Sequence, residues 1–303
     1  MNHCPNESVE LIATNCAGTI NWSNGATGSR TTVVVASSTS YSATCTVSTC
    51  ASNSSNFITF TCTPTGSKMK VVALDLNVIL EGPYNQATGL MSTRYNSQGL
   101  LPGQTPVSQF GVPTPAGQPY NRSPWNYSGS ENVVNYEPTV VGWLLVSVKN
   151  QGNTILYQTA ALLHADTHVE FIKDFPELDT TVTYFLQVDH RNHLGVMSAT
   201  MLPVTNGKIK YNFTASDSYI KPNTPAFGQK LIGTKYAMFV GDIDKSSPAQ
   251  HYDINFADIT KLRNNVGLFE QYLDADLNLD ADINFNDLII WRANSGKFSS
   301  ITY

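Results

Sequence analysis

Apolar and polar residues alternate with a period of two along much of the chain, which is the pattern of β-strands with one buried face. In residues 69–80, Leu74, Leu76 and Val78 fall on one face and predict a single long strand. Residues 85–135 break the alternation with many Gly, Pro, Asn and Tyr, and they predict a long loop. Later runs predict further strands and complete an antiparallel β-sandwich domain over residues 69–225, at positions 140–148, 154–163, 182–188 and 208–213.

Shorter alternating runs fill residues 1–63, where turn signals such as Ser23-Asn24-Gly25 separate them. This segment predicts a small β-sandwich. Clustered cysteines in a small β domain are typical of disulfides formed in an oxidising compartment. A zinc site is disfavoured, because the sequence has no Cys-x-x-Cys pair and the nearby His3 stands alone. All five cysteines of the chain lie here: Cys4, Cys16, Cys45, Cys50 and Cys62.

The Trp-Ser-Asn-Gly-Ala-Thr-Gly stretch that begins at Trp22, followed by the Ser-Tyr-Ser-Ala-Thr-Cys stretch that ends at Cys45, resembles the immunoglobulin-like repeats of secreted Bacteroidetes surface proteins. The resemblance implies a spacer module in which Trp22 lies in the core beside a Cys16–Cys45 disulfide. A second bridge between Cys4 and Cys50 is the preferred pairing of the remaining cysteines, although other pairings stay open. A glycan-binding role is the alternative function for this domain.

The Glu-Gly-Pro-Tyr sequence at residues 81–84 introduces the long loop. A glycosidase needs two carboxylates at a set separation, and no partner for Glu81 stands out. Glu81 is therefore predicted to be a calcium ligand or a hydrogen-bonding anchor for the loop. The aromatic residues around the loop suggest two alternative roles, which are stacking on sugars and packing of the loop onto the sandwich. Packing is the favoured interpretation. These residues are Tyr84, Tyr95, Tyr120, Trp125 and Tyr127.

The His-Arg-Asn-His sequence at residues 190–193 is the strongest enzyme-like signal in the chain. His190 and His193 would share a metal only if the backbone turned helically between them. Because runs of strand character stand on both sides, we expect a structural turn in a hairpin. The sequence contains no Gly-x-Ser-x-Gly, no His-Glu-x-x-His and no phosphate-binding loop. We therefore expect no enzymatic activity.

Oxygen-bearing side chains recur in residues 276–287, here called the second acidic loop, at positions 1, 3, 5, 9 and 12. This is the ligand spacing of an EF-hand-type calcium loop, since Ca²⁺ binds six to eight oxygen atoms supplied by alternate residues of a tight turn. Position 7 contributes its carbonyl oxygen. The predicted calcium ligands are Asp276, Asn278, Asp280, Asp282 through its carbonyl, and Asp287.

Residues 242–258, the first acidic loop, form a second copy of the pattern. The Asp-Ile-Asn-Phe sequence from Asp253 matches the same sequence from Asp282, and a helical segment that ends at a Gly follows each loop. About five extra residues interrupt the first copy, so its site is expected to be weaker, reshaped or empty. The corresponding ligands are Asp242, Asp244, Ser246, Asp253 and Asp258.

The tandem loop–helix pattern of residues 241–303 resembles the duplicated calcium module of dockerins. An Asp rather than a Glu at position 12 agrees with that resemblance. The chain departs from the dockerin pattern at Ala281, where a Gly normally makes the sharp turn, and in the interrupted first loop. The resemblance implies bound calcium and, as an alternative function, docking to a cohesin-like partner.

Further motifs occur in a fixed order before the acidic tail, residues 241–303: Ala-Thr-Gly-Leu-Met from Ala87, Pro-Trp-Asn-Tyr from Pro124, Val-Gly-Trp from Val141, and the sequence around residues 190–193. In this order they resemble the C-terminal region of large secreted Bacteroidetes proteins often labelled haemagglutinin-like. The resemblance covers about residues 70–300. It implies export, by the type IX secretion route, and display at the cell surface.

The net charge of −5 lies in the acidic tail, while the rest of the chain is neutral. The absence of a basic patch from the sequence disfavours nucleic acid as a partner. The sequence has no apolar run long enough for a transmembrane helix. It also has no signal peptide after Met1, so we expect the C-terminal part of a longer precursor, whose other domains would be partners.

The sequence predicts a mostly β protein with three domains. They are an immunoglobulin-like sandwich at residues 1–63, a second antiparallel sandwich at residues 69–225 and a dockerin-like helical calcium module at residues 241–303. The expected function is that of a non-enzymatic, calcium-stabilised extracellular module of an adhesin-like surface protein. The alternatives are a dockerin-type assembly module that binds a cohesin-like protein, and an accessory domain that binds a surface glycan.

Overall fold

A computed structural model of the chain describes residues 2–3, 7–35, 38–62, 68–245 and 252–301. The chain forms two compact units, Met1–Lys68 and Met69–Tyr303. Most strand pairs in both units are antiparallel, which confirms the mostly β fold class. Among the residues described, no helix is long and apolar enough to cross a membrane.

The first unit has small sheets packed around one apolar core. Strand β2 pairs with β4, β6 lies between β3 and β7, and β8 lies between β1 and β5. The core contains Leu11, Ile20, Trp22, Val33 and Phe60. The strands described are β1 (Asn2–His3), β2 (Glu7–Ile12), β3 (Thr19–Trp22), β4 (Arg30–Val35), β5 (Thr39–Tyr41), β6 (Ala43–Val47), β7 (Cys50–Ala51) and β8 (Ile58–Cys62).

The predicted disulfide between Cys16 and Cys45 is confirmed, with the two Cα atoms 5.6 Å apart. Cys16 packs against the apolar cluster that contains Trp22. The disulfide therefore lies beside the core that holds this Trp. The predicted bridge to Cys50 is wrong, because Cys50 is an exposed free thiol on β7. Its expected partner, Cys4, lies outside the described residues.

The second unit is built around a six-stranded sheet in the order β15-β14-β13-β17-β18, with β19 paired to β17. The elements described are β9 (Met69–Val71), β10 (Ala73–Asn77), β11 (Tyr84–Asn85), β12 (Leu90–Met91), α1 (Arg94–Ser97), β13 (Val140–Lys149), β14 (Ile155–His164), β15 (Val169–Phe171), β16 (Glu177–Asp179), β17 (Thr183–His190), β18 (His193–Met197), β19 (Leu202–Pro203), β20 (Lys208–Asn212), β21 (Lys230–Ile232), β22 (Lys235–Ala237), α2 (Phe256–Arg263) and α3 (Phe285–Asn294).

Strands β13, β14, β17 and β20 confirm the runs predicted from the sequence. Every residue of β13 is buried, because β14 and β17 flank it and other segments cover both faces. The register places Val146 opposite Thr159 on one side and Val188 on the other. This sheet is the scaffold that holds the acidic tail.

The single long strand predicted for residues 69–80 is wrong. The structure divides it at Val72 into β9, which pairs with β16, and β10, which pairs with β20. The pairing of β10 with β20 is parallel, in contrast to the antiparallel arrangement expected. The predicted buried face is correct, because Leu74, Leu76 and Val78 all lie in the core.

The long loop at residues 85–135 contains only the short elements β11, β12 and α1, and its aromatic side chains pack inward. Tyr95, Tyr120, Trp125 and Tyr127 are all buried in the core of the second unit. The hydroxyl group of Tyr120 donates a hydrogen bond of 2.7 Å to the carbonyl oxygen of Trp143 in β13. The packing interpretation is therefore the correct one for these four residues. Tyr84 is half-buried at the edge of the same core.

The two helices of the acidic tail begin with the same capping arrangement. Asn255 and Asn284 are the N-cap residues, and Asp258 and Asp287 complete a capping box with each of them. The tail belongs to the same compact unit as the sheet. The predicted boundary between residues 225 and 241 therefore does not separate two compact units.

Candidate metal centre

The second acidic loop folds around the carboxylate of Asp276, which is completely buried. Oδ2 of Asp276 accepts hydrogen bonds from the Tyr95 hydroxyl at 2.8 Å and from the Ala281 amide at 2.7 Å. Its Oδ1 accepts one of 3.2 Å from the amide of Asp280. Ala281 has a φ of 71°, so it adopts the left-handed conformation that Gly normally provides at this turn. The replacement of Gly thus leaves the turn intact.

The other predicted ligands of this loop lie around the same turn. The amide group of Asn278 donates to Oδ2 of Asp280 at 2.7 Å. Oδ1 of Asp280 accepts from the amide of Asp282 at 2.9 Å. Asp287 is completely buried, and its two oxygens accept from the amides of Leu277 and Asn284, both at 2.8 Å. The structure therefore brings the predicted side chains together in one turn.

Burial raises the pKa of Asp276 to about 7, against the lowering effect of its hydrogen bond to Tyr95. The negative charges of Asp287 and Asp280 add to the increase. Burial also raises the pKa of Asp287. Buried carboxylates that repel one another are stabilised by a cation, and the donor set of carboxylate, amide and carbonyl oxygens is the one that Ca²⁺ prefers.

The side chains of the second acidic loop currently turn toward backbone amides rather than toward a common point. Accordingly, no group of three or more His, Cys, Asp or Glu side chains in the described ranges stands at metal-binding spacing. A cation would have to draw Asp280 and Asp287 away from part of their present hydrogen bonds. The backbone turn that such a site requires is already formed, with Leu279 and Ala281 both at positive φ.

The first acidic loop repeats one half of this arrangement and changes the other. Asp258 matches Asp287, because its Oδ1 accepts from the amides of Ile243 and Asp244 at 2.6 Å and 2.7 Å. Asp242, the counterpart of Asp276, instead contacts the ammonium group of Lys245. Both members of this ion pair are buried, so a cation of the protein itself already neutralises Asp242.

The remaining predicted ligands of the first loop do not converge on Asp242 in the same way. Oδ1 of Asp253 accepts a hydrogen bond of 2.9 Å from the side chain of Asn255. The backbone amide of Asp244 donates a hydrogen bond to the carboxylate of Asp258. Ser246 lies outside the described residues. The first loop therefore differs from the second in its local charge, because the ammonium group of Lys245 lies beside its buried carboxylate.

The His-Arg-Asn-His turn at residues 190–193 contacts the second acidic loop directly. Asn192 donates two hydrogen bonds through its side-chain amide, to the carbonyl oxygens of Asp274 at 3.1 Å and Asp276 at 2.8 Å. The side chain of Arg191 is only 1% exposed and donates to the carbonyl oxygen of Leu273. Its guanidinium carbon lies 4.3 Å from the ring centre of Tyr272, which is a cation–π contact.

The two histidines of this turn are buried beneath the acidic tail. Their Nδ1 atoms are 2.8 Å apart, and Nδ1 of His193 is also 2.7 Å from Oδ1 of Asn192. Burial lowers the pKa of both rings well below the usual value for histidine, and nearby Arg191 and Lys245 lower it further. This arrangement agrees with a structural turn. The turn is a buried contact to the tail rather than an exposed hairpin end.

Glu81 anchors the tail and not the long loop, which corrects the predicted role. Its Oε2 accepts hydrogen bonds from the Val240 amide at 3.1 Å and from the Asn294 side chain at 2.6 Å. Its Oε1 contacts the ammonium group of Lys230. The next residue, Gly82, passes so close to the second acidic loop that a Cβ atom there would lie 1.7 Å from the Leu277 carbonyl oxygen.

The first acidic loop also lies against the sheet. The hydroxyl group of Tyr252 donates to Oδ1 of Asp189 at 2.9 Å and accepts from the side chain of Gln187 at 2.8 Å. A Cβ atom at Gly195 would lie 2.3 Å from Cε1 of Tyr252. Only a glycine therefore permits this close packing of β18 against the tail.

Asp274, just before the second loop, binds three cationic side chains. Arg122 approaches its Oδ1 at 2.7 Å, Arg191 approaches the same atom at 3.5 Å, and Lys261 approaches Oδ2 at 3.3 Å. Burial alone would raise the pKa of Asp274, but these cations lower it to about 2. The cluster ties the long loop, the His-Arg-Asn-His turn and helix α2 to one point.

Several residues that position this centre were not predicted as site residues. Sequence reasoning gave no role to the hydroxyl of Tyr95, because its partner lies 181 residues away. Nothing in the sequence singled out Arg191 and Asn192 over the histidines on either side. The Asn-x-x-Asp spacing that begins at Asn255 and at Asn284 was a usable signal for the two capping boxes.

Apolar side chains remain exposed on the outer face of the two tail helices. Phe256 and Phe285 occupy equivalent positions in the two copies and are 78% and 71% exposed. Ile289, one turn along α3 from Phe285, is also exposed. A shallow groove beside them is lined by Ile259, Leu288 and Trp291.

Comparison with protein-family models and with curated proteins gives no match. Among solved structures, the chain is similar to one chain in a crystal structure of a type II cohesin–X-dockerin complex from Acetivibrio cellulolyticus, which carries an N-terminal interface mutation. The two chains are 19% identical, and the match covers 52% of this chain and 83% of the other, with a TM-score of 0.34. A likeness at this level carries no conclusion about function.

Proposed function

We propose that this chain is a non-enzymatic, calcium-stabilised module of a secreted or cell-surface adhesin-like protein. The observation that carries the proposal is the second acidic loop, where the buried carboxylates of Asp276 and Asp287 share one turn with Asp280. The Cys16–Cys45 disulfide supports an extracellular location, since structural disulfides persist in oxidising compartments. The motif resemblance to haemagglutinin-like surface proteins supports the same location.

In this proposal, the calcium ligands are the side chains of Asp276, Asn278, Asp280 and Asp287, with the carbonyl oxygen of Asp282. Calcium supplies the positive charge that these mutually repelling carboxylates lack. The long loop would hold the acidic loop in the form that binds the ion, because Tyr95 of helix α1 fixes Asp276 through a hydrogen bond. The proposal assigns no reaction to the chain.

One calcium ion is proposed for each chain. The ammonium group of Lys245 contacts the Asp242 carboxylate at the place where the first acidic loop would need its cation. A buried Lys–Asp pair is neutral overall, so calcium binding there would have to displace the ammonium group. The first loop would therefore serve as a metal-free structural counterpart of the second.

The role of the ion is to join the tail to the rest of the second unit. The second loop contacts the long loop through Tyr95, the His-Arg-Asn-His turn through Asn192, and the segment before β11 through Gly82. Fixing this loop would stabilise all three segments at once. Extracellular calcium modules with dissociation constants of about 10⁻⁴–10⁻³ M are filled outside the cell, where such a surface protein would work.

Isothermal titration calorimetry on the chelator-treated full chain tests the proposal. We expect saturable calcium binding with about one ion per chain. Asp280→Asn should weaken this binding, because it removes a charged ligand of the second loop. Asp244→Asn, in the first loop, is the matched control and should leave the binding unchanged. Equal heats for wild type and Asp280→Asn would contradict the assigned ligand set.

A second candidate function is docking to a cohesin-like protein through the outer face of the tail helices. The exposed Phe256 and Phe285 favour it, because both copies present the same apolar residue after the N-cap. Biolayer interferometry against purified cohesin domains would test it. Specific binding that is lost in the Phe256→Ser/Phe285→Ser double variant supports docking, and binding that this change leaves unaltered contradicts it.

A further inference from the structure

Three side chains from distant parts of the chain meet where β21 approaches the end of α3. The ammonium group of Lys230 contacts Oε1 of Glu81, and its Nζ atom also lies 3.3 Å from Oδ1 of Asn294. The amide nitrogen of Asn294 donates to Oε2 of Glu81 at 2.6 Å. One carboxylate thus bridges an amine and a carboxamide that already contact each other.

The orientation of the Asn294 amide follows from its partners. Its Nδ2 atom donates a second hydrogen bond, of 2.8 Å, to the carbonyl oxygen of Val240. Two acceptors therefore fix the nitrogen, and Oδ1 faces the amine of Lys230. This orientation places the carbonyl group of the amide toward the amine and its nitrogen toward the carboxylate of Glu81.

The cluster lies in apolar surroundings. The Asn294 residue is 1% exposed, and the side chain of Glu81 is 9% exposed. The backbone segments beside Glu81 carry Leu80 and Val240, both completely buried. Restricted access of water favours attack by the amine over hydrolysis of the amide. The side chain of Lys230 is one-third exposed, which gives a route for ammonia to leave.

We propose that Lys230 and Asn294 form an intramolecular isopeptide bond, with Glu81 as the proton carrier. Glu81 accepts a proton from the Lys230 ammonium group, and the neutral Nζ attacks the Cγ atom of Asn294. A new Cγ–Nζ bond forms and the Cγ–Nδ2 bond breaks. Glu81 passes this proton, and then a second proton from the attacking Nζ, to the departing nitrogen. The nitrogen therefore leaves as ammonium, that is, ammonia plus the extra proton of the original Lys230 ammonium group, and the carboxylate regains its charge.

The atoms and charges of this step balance without an oxidant, a metal or an external reactant. The reacting groups are held at contact distance by the fold, which replaces a bimolecular encounter with an intramolecular one. A carboxylate that contacts both the nucleophile and the leaving nitrogen provides general acid–base catalysis in place. The reaction would take place once in each chain after folding.

The bond would join β21 to the last residue of α3. The chain between residues 230 and 294 contains both acidic loops, so the cross-link would close a covalent ring around the tail. Such a ring resists unfolding, because it limits the freedom of the unfolded chain. None of the three residues is among the proposed calcium ligands, and the inference holds whether or not calcium binds.

Mass spectrometry of the reduced, denatured full chain tests this inference. We expect an intact mass below the sequence mass by one molecule of ammonia. Tryptic digestion should then give a branched peptide that joins residue 230 to residue 294, without cleavage after Lys230. The full sequence mass, or linear peptides that carry unmodified Lys230 and Asn294, would overturn it.

Variants identify the groups that react. Lys230→Arg and Glu81→Gln should both restore the full sequence mass, whereas Lys235→Arg, on the neighbouring strand β22, should keep the loss of ammonia. An ammonia loss that maps instead to Asn24 or Asn206, which both precede Gly, would overturn the proposal. The wild-type measurement decides the question even if a variant fails to fold.

Discussion

The hydroxyl group of Tyr95 donates a hydrogen bond of 2.8 Å to Oδ2 of Asp276, which lies 181 residues further along the chain. Both residues are buried. This bond connects helix α1 in the long loop with the first proposed ligand of the second acidic loop. The long loop therefore positions the acidic loop, and it does so through a side chain that carries no charge.

Replacing Tyr95 with Phe should destabilise the chain while keeping the packing of the ring. The change leaves a buried carboxylate with one hydrogen bond fewer, which costs about 1–3 kcal/mol. Urea unfolding in the presence of a calcium chelator measures the effect. Tyr41→Phe, in the first unit, is the control for loss of a tyrosine hydroxyl. A Tyr95→Phe midpoint equal to that of wild type would show that this bond does not hold the loop.

Replacing Asn192 with Ala should loosen the tail from the sheet. The change removes both hydrogen bonds that the turn makes to the carbonyl oxygens of Asp274 and Asp276. The expected cost is about 1–3 kcal/mol, because these buried acceptors are left unpaired. Hydrogen exchange should become faster in α3 and in the second loop, while β13 and β14 stay protected. Uniform exchange across the unit would contradict a local role, and Asn53→Ala is the control.

Stability should fall as the pH is lowered below about 6.5, the usual pKa of histidine in an unfolded chain. Burial lowers the folded-state pKa of His190 and His193 well below that value. The unfolded state then binds protons that the folded state does not. The contribution of these two rings to the stability of the folded chain is therefore fully present above about pH 6.5, and it is lost progressively as the pH falls below that value. Each ring contributes a slope of about 1.4 kcal/mol per pH unit.

Chemical unfolding between about pH 7.5 and 5.5, the range in which histidine titrates, measures this slope. Calcium is kept saturating so that the acidic loop stays ionised. His190→Gln should reduce the slope, whatever its effect on absolute stability. His168→Gln is the control, because that ring is half-exposed beside Asp166. A wild-type slope that His190→Gln leaves unaltered would exclude the buried ring as its cause.

Replacing Lys245 with Ala should allow a second calcium ion to bind. The change removes the buried ammonium group from Asp242 and leaves this carboxylate without its counter-charge. Native mass spectrometry should count one ion on the wild type and two on the variant at high calcium. Lys297→Ala, just after the end of α3, is the control. Two ions on the wild type would show that Lys245 does not replace a cation.

The strands of the large sheet could be predicted from the sequence because their apolar runs are local. The same holds for the second acidic loop, where all predicted ligands fall within one turn. The break at Val72 could not be predicted, since it depends on two separate partners, β16 and β20. The burial of Arg191 could not be predicted either, since the rings of Tyr95 and Tyr272 that lie against its guanidinium group come from distant parts of the chain.

The anchoring role of Glu81 was also beyond sequence reasoning. A carboxylate before Gly-Pro suggested a site in the adjacent loop, whereas its partners Lys230 and Asn294 lie 149 and 213 residues away. Likewise, the five extra residues of the first acidic loop indicated a changed site. They gave no indication that Lys245 would supply the positive charge. Both features depend on contacts that only the folded chain creates.

Thermal unfolding of the refolded full chain, with and without calcium, tests the calcium proposal most directly. The chain is denatured, freed of metal and refolded in chelator or in excess calcium, so that a tightly held ion cannot remain. Calcium at about 100 times its Kd should stabilise the folded chain by about 2.7 kcal/mol. Asp287→Asn should abolish the shift, while Asp258→Asn, the equivalent capping residue of the first loop, should retain it. Identical unfolding of the wild type in chelator and in calcium would contradict a calcium-stabilised module.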